Sequence, residues 1–155
     1  MNPTHAPIDP VQLVVGMPDP DAVRTLEATL LQLPQVNMHT EHLVHGRMYA
    51  RTILIPAGTL LTGAMTNADN ICVVCGDITV TTDDGPQHLV GYHVLPAKAG
   101  AKRAGIAHQD TWWTTLIHTD RMDVTEIEDE FTDESDKLGS RRASLPHQPT
   151  RGLKA

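Results

Sequence analysis

The sequence predicts an all-β domain, a sandwich or small barrel. Three observations carry this. About seven short apolar or β-branched runs recur at roughly ten-residue spacing between residues 49 and 119, each closed by Gly, Pro or Asp. Eleven glycines and eleven prolines punctuate a chain of 155 residues, which argues against long helices. Aromatic residues make up only 3% against 40% hydrophobic residues, so the core is aliphatic and large enough to fold as one domain.

The elements follow in order. Residues 1–19 hold Pro3, Pro7, Pro10 and Pro18, too many for a regular element, and predict an extended arm with one short strand at Val11–Val15. Asp19 is placed to cap a helix that opens on Pro20. Ala22, Val23, Leu26, Leu30 and Leu31 then recur at helical spacing over about 20–32, and Pro34 ends the run. Strands are predicted at 49–55, 59–63, 71–74, 78–82, 89–95, 103–107 and 111–119. Pro56-Ala57-Gly58 turns the first two. Gly76-Asp77 closes the third, and Asp83-Asp84-Gly85 makes a hairpin turn after the fourth. Asp123 is placed to cap a short acidic helix in which Ile127 and Phe131 lie four apart. Residues 137–155 form a basic, proline-containing tail with Arg141, Arg142 and Arg151. The expected organisation is therefore arm 1–19, domain 20–136 and tail 137–155.

Twelve basic against nineteen acidic residues give a net charge of −7, the wrong sign for a nucleic-acid-binding domain. No apolar run approaches the ~20 residues of a membrane span. The N-terminus lacks a basic region followed by an apolar stretch, so export by a signal peptide is not expected. Cys72 and Cys75 have C-x-x-C spacing, but on a strand they point to opposite faces and read as packed small hydrophobes. The chain has no G-x-S-x-G elbow, P-loop or G-x-G-x-x-G fingerprint.

Pro56-Ala57-Gly58, Gly76-Asp77-Ile78-Thr79-Val80 and the block from Pro96 to Gly100 resemble landmarks of the cupin superfamily. The run Gly46 to Thr59, then Leu61-Thr62-Gly63, Lys102-Arg103 and Asp110 to His118, is similar to small cupin-like proteins encoded by tailed bacteriophages. The resemblance covers about half the chain and implies a jelly-roll barrel flanked by the two short helices and extended arms. It also implies a metal centre of two histidines and a carboxylate from the first motif, with one histidine from the second. This chain departs from that set. Thr66 and Asn70 stand where histidines are expected, Asp69 is the substitute carboxylate, and Arg103 occupies the place of the last histidine. Threonine and asparagine ligate transition metals poorly, and arginine repels a cation. The ordinary centre is expected to be lost, leaving no cofactor, no metal and no catalytic residue.

His108 and His118, with His42 or His45, are candidates for a displaced site, against the plainer expectation of ordinary hydrogen-bonded histidines. Trp112 and Trp113 alternate faces; the outer one, with Arg141, Arg142 and Arg151, is a candidate interface residue. Two functions follow. The first is a non-enzymatic interaction protein of a phage virion, a capsid decoration subunit or a neck or tail accessory. It would sit in the virion or host cytoplasm, as a homo-oligomer joined to other virion proteins through its arms. The basic tail of one copy would then meet the acidic 123–136 segment of another. The second is a metal-dependent or ligand-binding enzyme or sensor with a site rebuilt from Asp69, Arg103, His108 and His118, Arg103 binding a carboxylate or phosphate.

Overall fold

In a computed structural model, residues 20–82, 84–141 and 147–148 are described. The expected arm, the strand at Val11–Val15, the Asp19 cap, Asp83, Arg142 and Arg151 fall outside them.

The fold is all-β and jelly-roll-like. Its strands are β1 (Gln35–Val36), β2 (Thr40–His45), β3 (Met48–Ile55), β4 (Leu60–Thr62), β5 (Asn70–Thr82), β6 (Gly85–Ala97), β7 (Ala104–Ala107), β8 (Thr111–His118) and β9 (His147–Gln148). β1 and β9 form a separate two-stranded parallel pair. The others make one curled sheet in the order β2-β3-β8-β5-β7-β4, with β6 on the free edge of β5. β5 is its hub. One edge pairs with β6 from Asn70↔Ala97 to Thr82↔Gly85. The other edge pairs with β8 over Ile71–Cys75 and with β7 over Ile78–Val80.

Three expectations are corrected here. The strands expected at 71–74 and 78–82 are one strand, because Gly76 continues in extended pairing with Gly91 instead of turning. The strand expected at 89–95 extends over Gly85–Ala97, drawn out by the same ladder. β2 was not expected; a Gly46-Arg47 turn with φ of 57° and 63° folds it onto β3. Both residues are left-handed, as a two-residue hairpin turn of type I′ requires.

Strand parity separates inside from outside. On β5, Val74, Ile78 and Val80 point inward and join Ile55, Leu89 and Ala107 in the main core. Helix α1 (Pro20–Leu30) lays Val23 and Leu26 on Ala104 and Ile106 of β7. Helix α2 (Val124–Phe131) plugs one barrel end, where Ile127 and Phe131 meet Tyr49, Ile117 and Leu138. Asp123 Oδ1 accepts from Glu126 N–H at 3.0 Å and caps α2. Asp123→Ala is expected to lower stability by about 1 kcal/mol, read as a fall of a few degrees in thermal midpoint.

Packing runs past residue 136. Lys137 Nζ donates to Glu27 Oε1 at 2.9 Å, and Arg141 donates to Asp129 Oδ1 at 2.7 Å and Thr125 O at 2.8 Å. The start of the basic tail thus meets the acidic helix of its own chain. No helix among the described residues is long and apolar enough to cross a membrane.

Candidate functional site

Inward-facing residues of β3, β5, β7 and β8 line a partly open cavity of about 150 Å³. Its walls are mostly aliphatic: Ile53, Ile55, Leu61, Ile78 and Val80, with Trp113 from β8 and Phe131 and Leu138 from the plugged end. The polar groups are few. Arg51 reaches it from β3, Cys72 from β5, Thr115 from β8, and Thr66, Asn70 and Arg103 from the strand ends and loops. A wider recess of about 480 Å³ shares Arg51, Ile53, Leu61, Gly63, Ala64 and Leu138 with the cavity, and His42 and Lys137 line its outer part.

The cavity therefore brings Thr66, Asn70 and Arg103 together. It does not bring Asp69, His108 or His118 with them, which corrects the expected rebuilt site. Asp69 Oδ1 accepts from Ala99 N–H at 2.9 Å and ties down a loop. His118 lies at the exposed end of β8, opposite Met48. His108 is on the outer side of the sheet, bonded to Thr79 Oγ1 at 2.7 Å. His45 is exposed at the end of β2. Trp112 is 42% exposed on the outer face, and Trp113 lines the cavity.

No carboxylate and no imidazole lines the cavity, among the described residues. The donor set does not fit a transition-metal ion: hydroxyls and an amide ligate such ions weakly, the single thiol is held protonated by burial, and two guanidiniums oppose a positive charge. Asn70 is committed internally, its Nδ2 donating to Thr66 Oγ1 and Ala68 O, each at 3.2 Å. Its Oδ1 accepts from the Cys72 thiol at 3.5 Å. Burial pushes that thiol's pKa up, against the opposing pull of Arg103 and weaker hydrogen bonds, so it is no ready nucleophile.

Arg51 is the residue sequence reasoning missed. Its parity with Tyr49 and Ile53 on one alternating strand was the available signal. Its Nε is buried and has no hydrogen-bond partner among the described residues. Burial first, and then the charge of Arg51, hold the neighbouring His42 imidazole below its ordinary pKa. His42 Nδ1 and the Tyr49 hydroxyl share a hydrogen bond of 2.7 Å, and burial pushes that phenol up to about 12. Arg103 makes one long bond, 3.4 Å, to Pro96 O. The site is an apolar hollow carrying positive charge with unused donors.

No family model matches the chain, and no curated protein matches it. Solved structures do. A cupin superfamily protein of Desulfitobacterium hafniense is 18% identical, covering 60% of this chain and 87% of that one at a TM-score of 0.46. KdgF from a Halomonas species is 17% identical over 54% of this chain and 82% of that one, TM-score 0.46. An RmlC-like cupin of Shewanella frigidimarina is 15% identical over 56% and 79%, TM-score 0.46. The first and third of these are cupin proteins, and the all-β jelly-roll-like fold of this chain rests on its own strand order.

Proposed function

We propose that this is a non-enzymatic binding protein whose barrel holds a small organic anion, a carboxylate with a short apolar body. The observation that carries this is the buried, unpartnered Arg51 Nε, in a cavity shared with Arg103 and free of acidic groups. A buried donor left without a partner costs about 1–3 kcal/mol. An anion would offset that cost, and the planar guanidinium fork matches a carboxylate. A hollow of about 150 Å³ admits a body about the size of a benzene ring.

A panel of short-chain carboxylates, with the matching amides as neutral controls, tests this by thermal shift and calorimetry. A carboxylate is expected to raise the midpoint and its amide to leave it unchanged. Arg51→Met and Arg103→Gln are each expected to weaken binding by about 30-fold, the loss of roughly 2 kcal/mol of charged hydrogen bonding. Arg51→Met is expected to unfold no earlier than the natural chain, because an apolar side chain of similar length suits the buried site better. Equal responses to acid and amide would overturn the proposal.

One observation favours a further role for the outer face. Ile71, Val90, Tyr92, Val94 and Trp112 are 42–69% exposed there, on the neighbouring strands β5, β6 and β8. Leu43 and Met48 extend the face to β2 and β3. This face is poor in charge, so two copies of a chain with net charge −7 can meet there without repulsion. The partner proposed is a second copy, and a subunit of a viral particle is one setting for such a scaffold. Light scattering should give a dimer that Tyr92→Glu converts to monomer. A monomer in the natural chain counts against it.

A further inference from the structure

The geometry points to a divalent transition-metal site on the outer side of the barrel, built from Asp77, His88 and His108. It lies apart from the cavity and goes beyond the anion-binding proposal. One ligand atom from each residue lies within 4.8 Å of the others. Asp77 is on β5, in the middle. His88 comes from one flank, on β6, where it pairs with Thr79 and lies diagonal to Asp77. His108 comes from the other flank, just past the end of β7, with its backbone N–H bonded to Asp77 O at 2.8 Å. Two of the side chains thus come from paired strands, and the third from the first residue of the bend that links β7 to β8.

The donor set is chemically right. Two imidazoles and one carboxylate suit zinc and its neighbours, and three protein ligands leave one position open. Bonds of about 2.0–2.1 Å to a tetrahedral ion separate its ligand atoms by about 3.3 Å. His88 Nε2 and Asp77 Oδ1 now stand 2.6 Å apart, and the rings of His88 and His108 meet edge to face at 5.1 Å. An ion replacing the shared proton needs the first pair to open by under 1 Å, within side-chain reach. The surroundings supply orientation. Thr79 Oγ1 shares a hydrogen bond of 2.7 Å with His108 Nε2, which orients the ring and leaves Nδ1 without a partner among the described residues. Thr111 Oγ1 accepts from Asp77 N–H at 3.1 Å and steadies the strand there. Side-chain exposure of 56% for His88 and 28% for Asp77 gives an ion a way in.

Titration of the full-length protein with Co²⁺ tests the site. One equivalent should bind and develop the intense visible bands of a tetrahedral nitrogen- and oxygen-ligated ion, displaced by Zn²⁺. His88→Ala and His108→Ala should each weaken binding by at least about 100-fold, the upper end of what even an outer partner is worth. Both should leave the metal-free melting midpoint within a few degrees, which separates lost ligation from lost folding. Arg51→Met should leave the Co²⁺ spectrum unchanged, so this site and the anion cavity fail or stand separately. No visible band at millimolar Co²⁺ would overturn the assignment. So would a band that survives in the double variant lacking both histidines.

Discussion

Lys102→Met is expected to lower the stability of the folded chain by about 3–5 kcal/mol. Lys102 is an ammonium group with a fully buried side chain. Its Nζ donates to Glu27 Oε2 at 2.9 Å, Glu134 Oε2 at 2.8 Å and Gly63 O at 2.9 Å. Glu27 comes from α1, Glu134 from the turn after α2, and Gly63 from the end of β4. One cation thus joins α1 and the turn after α2 to the sheet. Methionine fills the space but leaves two largely buried carboxylates, held among the described residues by Lys137, for Glu27 also by the Thr62 hydroxyl at 3.0 Å, and for Glu134 by Arg24 at 3.6 Å and the Met65 N–H. Removing one partner of a buried ion group costs far more than the intact group adds, because the desolvated charge remains.

The pH dependence gives this prediction a second readout. Burial alone would raise the Glu27 carboxyl, but hydrogen bonds from Lys102 and Lys137 outweigh it and hold it below its ordinary value of 4.5. Burial likewise opposes, and Lys102 and the Met65 N–H overcome it, to lower Glu134. A carboxyl with a depressed folded pKa contributes stability that is fully present above the unfolded value and lost as pH falls through the folded one. The natural chain should therefore lose stability from these groups on acidification below about pH 4.5. In Lys102→Met burial prevails and the sign reverses: part of the loss at neutral pH should be recovered as the carboxyls protonate. Urea titrations at neutral and mildly acidic pH check both. A loss of stability that is the same at the two pH values would show that the carboxylates are not its source.

None of this network was legible in the sequence. Glu27 and Lys102 are 75 positions apart, and each resembles an ordinary solvated charge. Local periodicity was legible where faces differ. Val23 and Leu26 on α1, and Ile127 and Phe131 on α2, are buried at the spacing that marked those helices. β2 was hidden because Leu43 and Val44 are adjacent, so Thr40–His45 has no alternation to read, and its partner β3 supplies the register. The departures from the first and second cupin-like motifs were readable as residue types, and Thr66, Asn70 and Arg103 do line one cavity. His108 was noticed, but its partners were not. The hairpin turn before Gly85 already implied the pairing of Thr79 with His88, and hence the approach of His88 to Asp77. Arg51 was passed over because an arginine on a strand is usually outside; only the curl of the sheet shows that β3 turns it inward.

Gly76→Ala is expected to cost about 3 kcal/mol, through an error the barrel cannot absorb. β5 passes from β8 to β7 between Cys75, opposite Trp112, and Ile78, opposite Ala107. In that gap Asp77 O takes the N–H groups of His108 at 2.8 Å and Gln109 at 3.3 Å, and Thr111 Oγ1 takes the N–H of Asp77. Thr111 is fully buried, and its side chain occupies the space a Cβ at position 76 would fill. Such a Cβ would lie 2.7 Å from Thr111 Cα, a backbone atom, as well as against the side chain. A rotamer change cannot relieve that contact. The φ of 153° adds strain for any L side chain. Gly91, directly opposite on β6, has open space around it, so Gly91→Ala meets only the conformational penalty of its φ of 82°. The pair separates steric from dihedral cost: chemical denaturation should show Gly76→Ala losing clearly more than Gly91→Ala. Thr111→Ser removes only the side-chain methyl and keeps Oγ1, Cβ and Cα, the three atoms in the contact, so it should not rescue Gly76→Ala. Rescue by serine would place the clash in the threonine methyl, and equal losses in the two glycine variants would leave only the dihedral cost.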